Sequence, residues 1–317
     1  MTKVTEFISQ ANGKTLFSIE IIPPVKGQNI NELFDSIAPL MEFKPPFVDV
    51  TYHREELIDR VGPNGLIERI PVRKRPGTVG ICARLMERFH VDAVPHVICG
   101  GFTKEETEDV LFDLHYLGID NVLVLRGDPE KSAGVFHAKN GGHTYASELV
   151  TQVADMNKGI LLNAETETTP TDFCIGVAGY PEKHIDAVSL DTDFEYLRKK
   201  VELGADYIVT QMFFDNQKFF RFVDRCRAEG ITVPIIPGLK PLATKKQLTV
   251  LADIFHLEFP EDLVKAATAA SEKDVRQVGI EWGVQQCKEL LAYGVPVLHF
   301  YTMGKSDNVA QIARQVF

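Results

Sequence analysis

The sequence lacks long apolar runs: none approaches the roughly 18 residues that a membrane-spanning helix requires. The first residues, Met1 to Gly13, also lack the apolar core of a secretory signal peptide. Cysteine is scarce, with five residues in 317, an odd number, and no Cys-x-x-Cys spacing. These absences argue against a membrane protein and against a secreted domain held by disulfides. We therefore expect a cytoplasmic protein with reduced thiols.

An excess of basic residues is missing as well. The chain has 34 Lys and Arg against 44 Asp and Glu, a formal net charge of −10. Binding to nucleic acid requires a basic face, and so does attachment to an anionic membrane surface. The composition, 44% hydrophobic and 25% charged, is typical of a globular protein with a sizeable core. We expect small-molecule substrates and no nucleic-acid or membrane partner.

Several catalytic motifs are also absent. There is no Gly-x-Gly-x-x-Gly turn, and the Gly-Lys-Ser at 304–306 lacks the upstream glycine of a phosphate loop because His299 occupies that position. No His-Glu-x-x-His occurs, and the nine histidines do not cluster at metal-ligand spacing. No Gly-x-Ser-x-Gly turn occurs either. The sequence therefore predicts no metal site and argues against a serine hydrolase.

The sequence does contain a regular alternation of short apolar runs and amphipathic stretches. The apolar runs are Leu16–Ile22, Phe47–Tyr52, Ala93–Ile98, Val122–Leu125, Phe173–Ala178, Tyr207–Phe213, Val233–Ile236 and Val295–Tyr301. The amphipathic stretches are Asn31–Met41, Thr78–Phe89, Lys104–Leu117, Ala146–Met156, Asp193–Leu203, Lys218–Ala228, Thr244–Phe255 and Glu281–Ala292. This eightfold alternation predicts an α/β fold, a single (β/α)₈ TIM barrel that spans residues 1–317. A doubly wound open sheet is the alternative, but the glycine turn typical of it is absent.

Some connecting segments carry further signals. Pro129–Tyr145 is longer than an ordinary connector, and its Gly, Lys and His content predicts a mobile flap at the catalytic face. Segment 69–75 carries four cations around its proline, and a solvated loop is favoured there over a phosphate contact. Thr103 and Glu106 have the spacing of a capping box. Lys305–Phe317 is predicted to be a last short helix.

Polar side chains interrupt or follow the apolar strands where a barrel forms its mouth. Arg126, Gly127 and Asp128 follow the buried run that ends at Leu125. Glu20 interrupts the first strand, and because an unpaired buried carboxylate is costly, a functional acid is favoured over a structural ion pair. Its pKa would rise in a pocket that is short of water, which would make it a proton donor near neutral pH.

Two more polar residues stand in apolar strands. His96 lies within Val94-Pro95-His96-Val97, where a structural role and a catalytic role are about equally supported. Gln211 interrupts the sixth strand, and its amide can both donate and accept a hydrogen bond, which suits a heterocycle edge. One acid, one amide and several cations form a poor hydrolase. They suit a protein that positions an organic cofactor and protonates its substrate.

Together these residues resemble the methylenetetrahydrofolate reductases. The matching stretches, in the order of the family, are Phe17-Ser-Ile-Glu20-x-x-Pro-Pro24, Val50-Thr51-Tyr52, Pro95-His96, Leu125-Arg126-Gly127-Asp128, Tyr145-Ala-Ser-x-Leu149, Ala178-x-Tyr180-Pro181-Glu182-x-His184, Thr210-Gln211-x-Phe-Phe-Asp215, Ile236-Pro-Gly238 and His299-Phe300-Tyr301-Thr302. Each motif alone is weak, but their joint order covers nearly the whole chain.

The resemblance implies an FAD-containing barrel that reduces 5,10-methylenetetrahydrofolate to 5-methyltetrahydrofolate. Electrons would come from NADH or NADPH by ping-pong turnover, in one-carbon metabolism and methionine biosynthesis. Glu20 matches the general acid that protonates the folate nitrogen as the five-membered ring opens. Asp128 matches a carboxylate beside pterin and flavin, where its charge would stabilise the positive charge of the opened ring. The resemblance also implies a homo-oligomer.

The resemblance also extends to binding residues. The positions that match FAD contacts are Thr51, Tyr52, His96, Arg126, Gly127, Asp128, Tyr145, Ala146, Tyr180, His184, Ala187, Asp193, Lys199 and Lys200. The cations among them suit a pyrophosphate. The positions that match folate contacts are Asp128, Gln211, Gln247 and Lys305, where Lys305 replaces the arginine of relatives.

Three alternatives remain open from the sequence. Another flavin-dependent TIM-barrel oxidoreductase, such as a proline-dehydrogenase-like enzyme, would share the layout, and substrate screening would separate the two. A lyase or aldolase barrel would use a Schiff-base lysine or a metal, and neither is evident. An inactive barrel that serves as a binding scaffold would contain no flavin.

Overall fold

The computed structural model describes residues 1–63, 65–129, 134–163, 168–304 and 306–317. Its strands are β1 (Leu16–Ile21), β2 (Phe47–Val50), β3 (Glu56–Val61), β4 (Ile67–Val72), β5 (Asp92–Ile98), β6 (Asn121–Leu125), β7 (Cys174–Gly179), β8 (Tyr207–Thr210), β9 (Ile235–Ile236), β10 (Gly238–Leu239) and β11 (Val297–Tyr301). Its α-helices are α1 (Val4–Gln10), α2 (Ile30–Ile37), α3 (Val79–Phe89), α4 (Lys104–Tyr116), α5 (Ala146–Met156), α6 (Leu190–Glu202), α7 (Asn216–Ala228), α8 (Lys246–Phe255), α9 (Glu261–Ala269), α10 (Val275–Tyr293) and α11 (Asp307–Val316). A 3₁₀ helix at Ala38–Phe43 follows α2.

The main sheet is a parallel barrel. Its strand order is β10-β11-β1-β2-β5-β6-β7-β8-β9. Strands β9 and β10 are separated only by Pro237, whose nitrogen cannot donate to a neighbouring strand. The two therefore form one interrupted strand of the barrel, and each complete barrel strand is called a stave below. Within the described residues the barrel therefore has eight staves, which confirms the predicted fold. The interrupted stave begins at Ile235 and resumes at Gly238, which corrects the single run Val233–Ile236.

Three elements were not predicted from the sequence: α1, α9 and the antiparallel hairpin β3–β4. The prediction of a solvated loop at 69–75 is wrong for its first half, since residues 69–72 belong to β4. Arg69 pairs with Asp59 at 2.9 Å, and Lys74 pairs with Glu56 at 2.7 Å. The hairpin is largely exposed on both faces, so apolar and charged residues mix in it without a clear period.

Alternate residues of the barrel strands pack into two separate cores. Phe17 and Ile19 of β1 face the surrounding helices, whereas Leu16 packs inside the barrel. Strand β2 repeats the pattern, with Val48 outside and Phe47 inside. Because side chains alternate along a strand, every second residue of each stave points into the barrel interior. The lower interior is apolar, and polar side chains lie above it towards the mouth.

Helix α1 covers the N-terminal end of the barrel. Val4 is fully buried against the interior core, and its N–H donates to Asn121 Oδ1 at 2.9 Å at the start of β6. The Phe7 ring lies 6.4 Å from the Phe47 ring at the start of β2. The backbone N–H of Thr2 donates to Asp92 at the start of β5 at 3.0 Å. These contacts close the end opposite to the mouth.

Two local predictions are confirmed. Glu106 N donates to Thr103 Oγ1 at 3.1 Å and Thr103 N donates to Glu106 Oε2 at 2.7 Å, which completes the capping box of α4. Helix α11 occupies most of the tail that was predicted to be helical. In the segment predicted as a flap, residues 130–133 lie outside the described ranges. The rest is held to α4 by Lys139, which pairs with Glu106 at 2.7 Å.

No helix in the described ranges is long and apolar enough to cross a membrane.

Candidate active site

Glu20 lies near the carboxyl end of β1, inside the barrel mouth. Its side chain is only 14% exposed. Burial raises the pKa of its carboxyl to about 7; His96 opposes this rise and Asp49 adds to it. A carboxyl that titrates near neutral pH can donate a proton under physiological conditions. Glu20 therefore has the burial and the protonation behaviour of a general acid.

Asp49 is a second buried carboxyl that was missed in the sequence. It lies on β2 opposite Glu20 in the strand register and is 1% exposed. In the part of the chain that the structure describes, neither carboxyl oxygen has a hydrogen-bond partner. Burial raises its pKa to about 6, and His299 opposes the rise. The sequence did contain a signal for it, because Asp49 stands between Val48 and Val50 and interrupts an apolar strand just as Glu20 does.

His96 connects the two carboxyls. Its Nε2 lies 3.5 Å from Glu20 Oε2 and 3.6 Å from Asp49 Oδ2. Burial lowers the pKa of the imidazole, and the charge of Glu20 opposes this effect. A ring that stays neutral can carry its proton on the nitrogen between the two acids. The structure thus brings the predicted residues Glu20 and His96 together with the unpredicted Asp49.

A further polar layer lies beside this group, in the barrel interior. Ser18 Oγ and His299 Nδ1 are 2.8 Å apart, and the two residues are opposite each other on β1 and β11. The hydroxyl of Tyr207 is buried without a partner among the described residues. Its ring fits because Gly176 has no side chain: a Cβ there would lie 2.3 Å from Tyr207 Cζ. Polar groups thus extend below the mouth.

Arg126 and Asp128 follow β6 at the same end of the barrel. Arg126 pairs with Asp186, and its guanidinium stacks on Phe136 at 4.9 Å. Asp128 is exposed at the mouth. Asp128 and His96 both act on the pKa of His53, so His53 lies within electrostatic reach of both. Both predicted carboxylates therefore open onto one mouth.

The loop after β7 brings three of the predicted cofactor contacts together. The rings of Tyr180 and His184 meet edge to face at 4.7 Å. His184 N donates to Asp193 Oδ2 at 3.1 Å. Burial raises the pKa of Tyr180, and the charges of Asp193 and Asp128 add to the rise. Burial, assisted by the charge of Arg126, lowers the pKa of His184 to about 4, so this ring is neutral at physiological pH.

A cavity of about 580 Å³ adjoins this loop and is lined by Tyr180, Asp193 and Lys200, among others. Burial lowers the pKa of Lys200 to about 8, although the charge of Asp193 opposes the fall. Its ammonium donates to the carbonyl oxygen of Ala178 at 2.5 Å. Lys199 is exposed and does not line this cavity. Of the two lysines predicted to contact FAD, only Lys200 therefore lines this cavity.

The other predicted cofactor contacts lie around the same mouth. Tyr145 precedes α5, whose first residue is Ala146, and its ring stacks on Tyr196 at 6.4 Å. Thr51 Oγ1 donates to the carbonyl of Ile21 at 3.2 Å. The remaining contacts are Tyr52, whose buried hydroxyl lacks a partner among the described residues, Gly127, whose φ is +85°, and Ala187, whose carbonyl accepts from Lys183 at 2.5 Å.

The predicted folate contacts differ in their local roles. The Oε1 atom of Gln211 accepts from Met212 N at 2.9 Å; its amide nitrogen has no hydrogen-bond partner in the described ranges. Gln247, in the first turn of α8, instead fixes the preceding loop, because its Oε1 accepts from Ala243 N at 2.7 Å and from Thr244 N at 3.2 Å. Lys305 lies outside the described residues. The amide nitrogens of Gln211 and Gln247 both lack a partner among the described residues, so either can donate to a ligand.

The mouth fits an organic cofactor that carries phosphate groups. Arg126 Nε and the Tyr52 hydroxyl are buried and lack partners in the described part of the chain. Lys200 adds a cation beside the cavity. Unpaired buried donors are costly, and a bound ligand with several acceptor oxygens would satisfy them. Among the described residues no group of three or more His, Cys, Asp or Glu could hold a metal ion.

Comparisons with known proteins agree with this geometry. A family model for methylenetetrahydrofolate reductase matches residues 4–316. The methylenetetrahydrofolate reductase (NADH) 1 of Arabidopsis thaliana is 32% identical over 302 residues, which is 92% of this chain and 46% of the relative. The chain spans about half the length of that relative and of its maize counterpart. The 5,10-methylenetetrahydrofolate reductase of Escherichia coli is 30% identical over 306 residues, 96% of this chain and 91% of the relative.

A solved structure has the same fold. It is an uncharacterized protein from Clostridium thermocellum that binds two copies of 5-methyl-5,6,7,8-tetrahydrofolic acid. Its TM-score is 0.57 at 14% identity, and the match covers 98% of both chains. At that identity the likeness bears on the fold alone. Because the family model covers almost the whole chain and the barrel carries the matching residues at its mouth, this chain belongs to the methylenetetrahydrofolate reductase family.

Proposed function

We propose that this chain catalyses the FAD-dependent reduction of 5,10-methylenetetrahydrofolate to 5-methyltetrahydrofolate. The observation that carries the proposal is a buried carboxyl, Glu20, with a pKa raised to about 7, at the mouth of a barrel of this family. Opening of the five-membered ring of the substrate requires a proton on its nitrogen. A largely buried acid that is still protonated near neutral pH can supply that proton.

The other residues support the same reaction. The carboxylate of Asp128 would stabilise the positive charge that develops on the opened substrate ring. The unpartnered amide nitrogen of Gln211 would donate to the pterin edge, and in the other half-reaction to the nicotinamide. Since both substrates would use one mouth, they would bind in turn, which implies ping-pong kinetics.

When bound, FAD would carry the hydride from the nicotinamide to the folate. The side chains of Arg126 and Lys200 would bind its phosphate groups, and the hydroxyl of Tyr52 would donate to one of its acceptor oxygens. Tyr180, His184 and the other predicted contacts around the cavity would hold the rest of the molecule. Lys199, which is exposed, would contribute less than Lys200.

NADH is the first electron donor to test, because the plant relatives carry it in their names. NADPH remains the alternative donor. We further propose a cytoplasmic homo-oligomer that acts in one-carbon metabolism and methionine biosynthesis, as the resemblance implies.

The test separates the two half-reactions of the purified FAD-loaded protein under anaerobic conditions. Reduced nicotinamide should bleach the flavin absorbance, and methylenetetrahydrofolate should restore it. In Glu20→Gln the first step should remain, while the second should fall by at least about 100-fold because general acid catalysis is lost. Glu105→Gln is the matched control, since it makes the same change on an exposed side chain of α4.

A protein that takes up no FAD would contradict the proposal. So would reduced flavin that methylenetetrahydrofolate does not reoxidise. Bleaching of the oxidised flavin by proline instead would favour the related flavin barrel. If Glu20→Gln retains both half-reactions, Glu20 is not the acid.

A further inference from the structure

Asp49 lies opposite Glu20, the proposed acid, on the neighbouring strand, and the proposed reaction gives it no role. Its carboxyl is 1% exposed, and in the described ranges no lysine or arginine pairs with it. His96 Nε2 lies 3.6 Å from its Oδ2, and His299 acts on its charge from β11. The same nitrogen lies 3.5 Å from Glu20 Oε2. One imidazole nitrogen therefore lies within ion-pair distance of both carboxyls, although it donates a hydrogen bond to neither.

Asp49 performs no evident structural task. It caps no helix, and neither of its oxygens accepts a hydrogen bond within the described residues. Burial of an unpaired carboxylate is unfavourable, and an amide or apolar side chain would fit the barrel interior at less cost. A residue that is unfavourable for stability and lies beside a proposed catalytic group is a candidate for a role in function.

We propose that Asp49 is a positioning residue: its negative charge keeps Glu20 in the protonated form and holds the Nε2–H of His96 between the two acids. The inference rests on the proposed function of Glu20. Two carboxyls this close to one imidazole cannot both ionise easily, so the group retains one proton near neutral pH. The inference places the retained proton on Glu20, the carboxyl at the mouth, and the negative charge on Asp49, whose charged form His299 favours.

The arrangement also explains how Glu20 can recover between turnovers. After Glu20 has given its proton to the folate nitrogen, both Glu20 and Asp49 are ionised beside the neutral His96. This doubly charged state is strongly unfavourable in a buried site. A proton from solvent at the mouth then returns to Glu20, because Asp49 repels a second negative charge there. Asp49 touches neither substrate nor cofactor in this account. It acts through His96 and through its charge.

The groups that face these two acids come from several elements. They are His96 on β5, Tyr207 on β8, His299 and Tyr301 on β11 and Cys82 on α3. Ser18 on β1 contacts His299, and His53 after β2 is influenced by His96. Burial raises the pKa values of Cys82, Tyr207 and Tyr301, so these three stay neutral. Burial likewise lowers the pKa values of the three histidines. Asp49 is thus the anion that acts on Glu20.

The test is the pH dependence of the folate half-reaction in Asp49→Asn. Pre-reduced, FAD-loaded enzyme is mixed with methylenetetrahydrofolate in single-turnover experiments between pH 5.5 and about 9, spanning the pH at which buried acids of this kind titrate. The alkaline limb of the rate profile should move to lower pH by about one unit, because a nearby like charge raises a carboxyl pKa. Reduction of the flavin by nicotinamide should keep its wild-type rate.

Asp92→Asn is the matched control. Asp92 is a half-buried carboxyl at the opposite end of the barrel, where it accepts from Thr2 N. The asparagine oxygen can keep that bond, so the control profile should coincide with that of the wild type. A purely structural role for Asp49 would reduce both half-reactions and leave the limb in place, and that result would overturn the inference. Equal displacement in both variants would overturn it as well.

An infrared pH titration measures the same effect without turnover. The protonated-carboxyl band of Glu20, identified by its loss in Glu20→Gln, should persist to near pH 7 in the wild type. It should disappear at lower pH in Asp49→Asn, or in the smaller Asp49→Ser if the asparagine variant does not fold. An unchanged titration in the variant refutes the inference. If the titration shifts but methylenetetrahydrofolate never reoxidises the wild-type flavin, the proposed function fails and the role of Asp49 in the acid group stands.

Discussion

Replacement of Asp49 by asparagine should make the protein more stable at alkaline pH. The pKa of Asp49 is raised to about 6 by burial, whereas an aspartate in an unfolded chain titrates at about 3.9. The folded state therefore binds this proton more tightly than the unfolded state. Below about pH 4 both states keep the proton, so Asp49 does not lower the free energy of unfolding by ionising. The loss of stability grows as the pH rises and is complete above about pH 6.

The size of the gain follows from the same values. At about 1.36 kcal/mol for each pH unit, ionised Asp49 lowers the free energy of unfolding by about 3 kcal/mol at pH 8. Asp49→Asn should recover most of this, which corresponds to a rise in Tm of roughly 5 °C for a chain of this size. At pH 5 the gain should be about half as large, because that pH lies only about one unit above the pKa of the unfolded-state carboxyl, while the folded-state carboxyl is still mostly protonated.

Urea unfolding of wild type and Asp49→Asn at pH 5 and pH 8 checks this prediction. Glu105→Gln, on an exposed side chain, should match the wild type at both values. The reasoning is refuted if the variant is less stable than the wild type at pH 8. It is also refuted if the gain is the same at both pH values, because ionisation would then not be its source.

Three smaller predictions concern the scaffold, and each is measured by thermal or urea unfolding. Gly176→Ala should destabilise the protein by at least about 1–3 kcal/mol, because the new methyl group overlaps the buried Tyr207 ring; Gly80→Ala, in open space on α3, should be neutral or slightly stabilising. Val4→Ala should cost about 2 kcal/mol through the cavity that it leaves under the barrel, and a wild-type Tm would mean that α1 does not cover that end. Thr103→Ala should cost about 1 kcal/mol, since α4 loses its N-cap, and no loss would show that the cap is dispensable.

The fold could be predicted from the sequence because parallel strands buried on both faces leave a distinct pattern of apolar runs. Each of the eight predicted runs contains or overlaps a barrel stave. Helix α1 was overlooked, since a seven-residue segment with few apolar positions resembles a disordered terminus until its barrel partner is known. The interruption at Pro237 was also missed, because a proline inside a barrel stave is visible only once the neighbouring strands are in place.

The candidate site was predictable in part. Glu20 was identified because one carboxylate stood alone in an apolar strand. Asp49 gave the same signal inside the run Phe47–Tyr52, but only the residues at the end of that run, Thr51 and Tyr52, were predicted to reach the mouth. Strand β2 ends at Val50 in the structure. Asp49 is therefore inside the strand and points into the barrel, whereas Thr51 and Tyr52 follow the strand at the rim. The difference between Lys199 and Lys200 depends on the rotation of α6, which periodicity fixes too loosely to assign single neighbours.

Because α1 seals one end of the barrel, the acid group draws its water and protons through a single opening. Any ligand that occupies the mouth then isolates Glu20, His96 and Asp49 from solvent at the same time. The number of protons in the barrel would be fixed at the moment of binding and could not change until the ligand leaves. We therefore expect the pH at which a substrate is loaded, and not the pH during the chemical step, to decide whether that turnover succeeds.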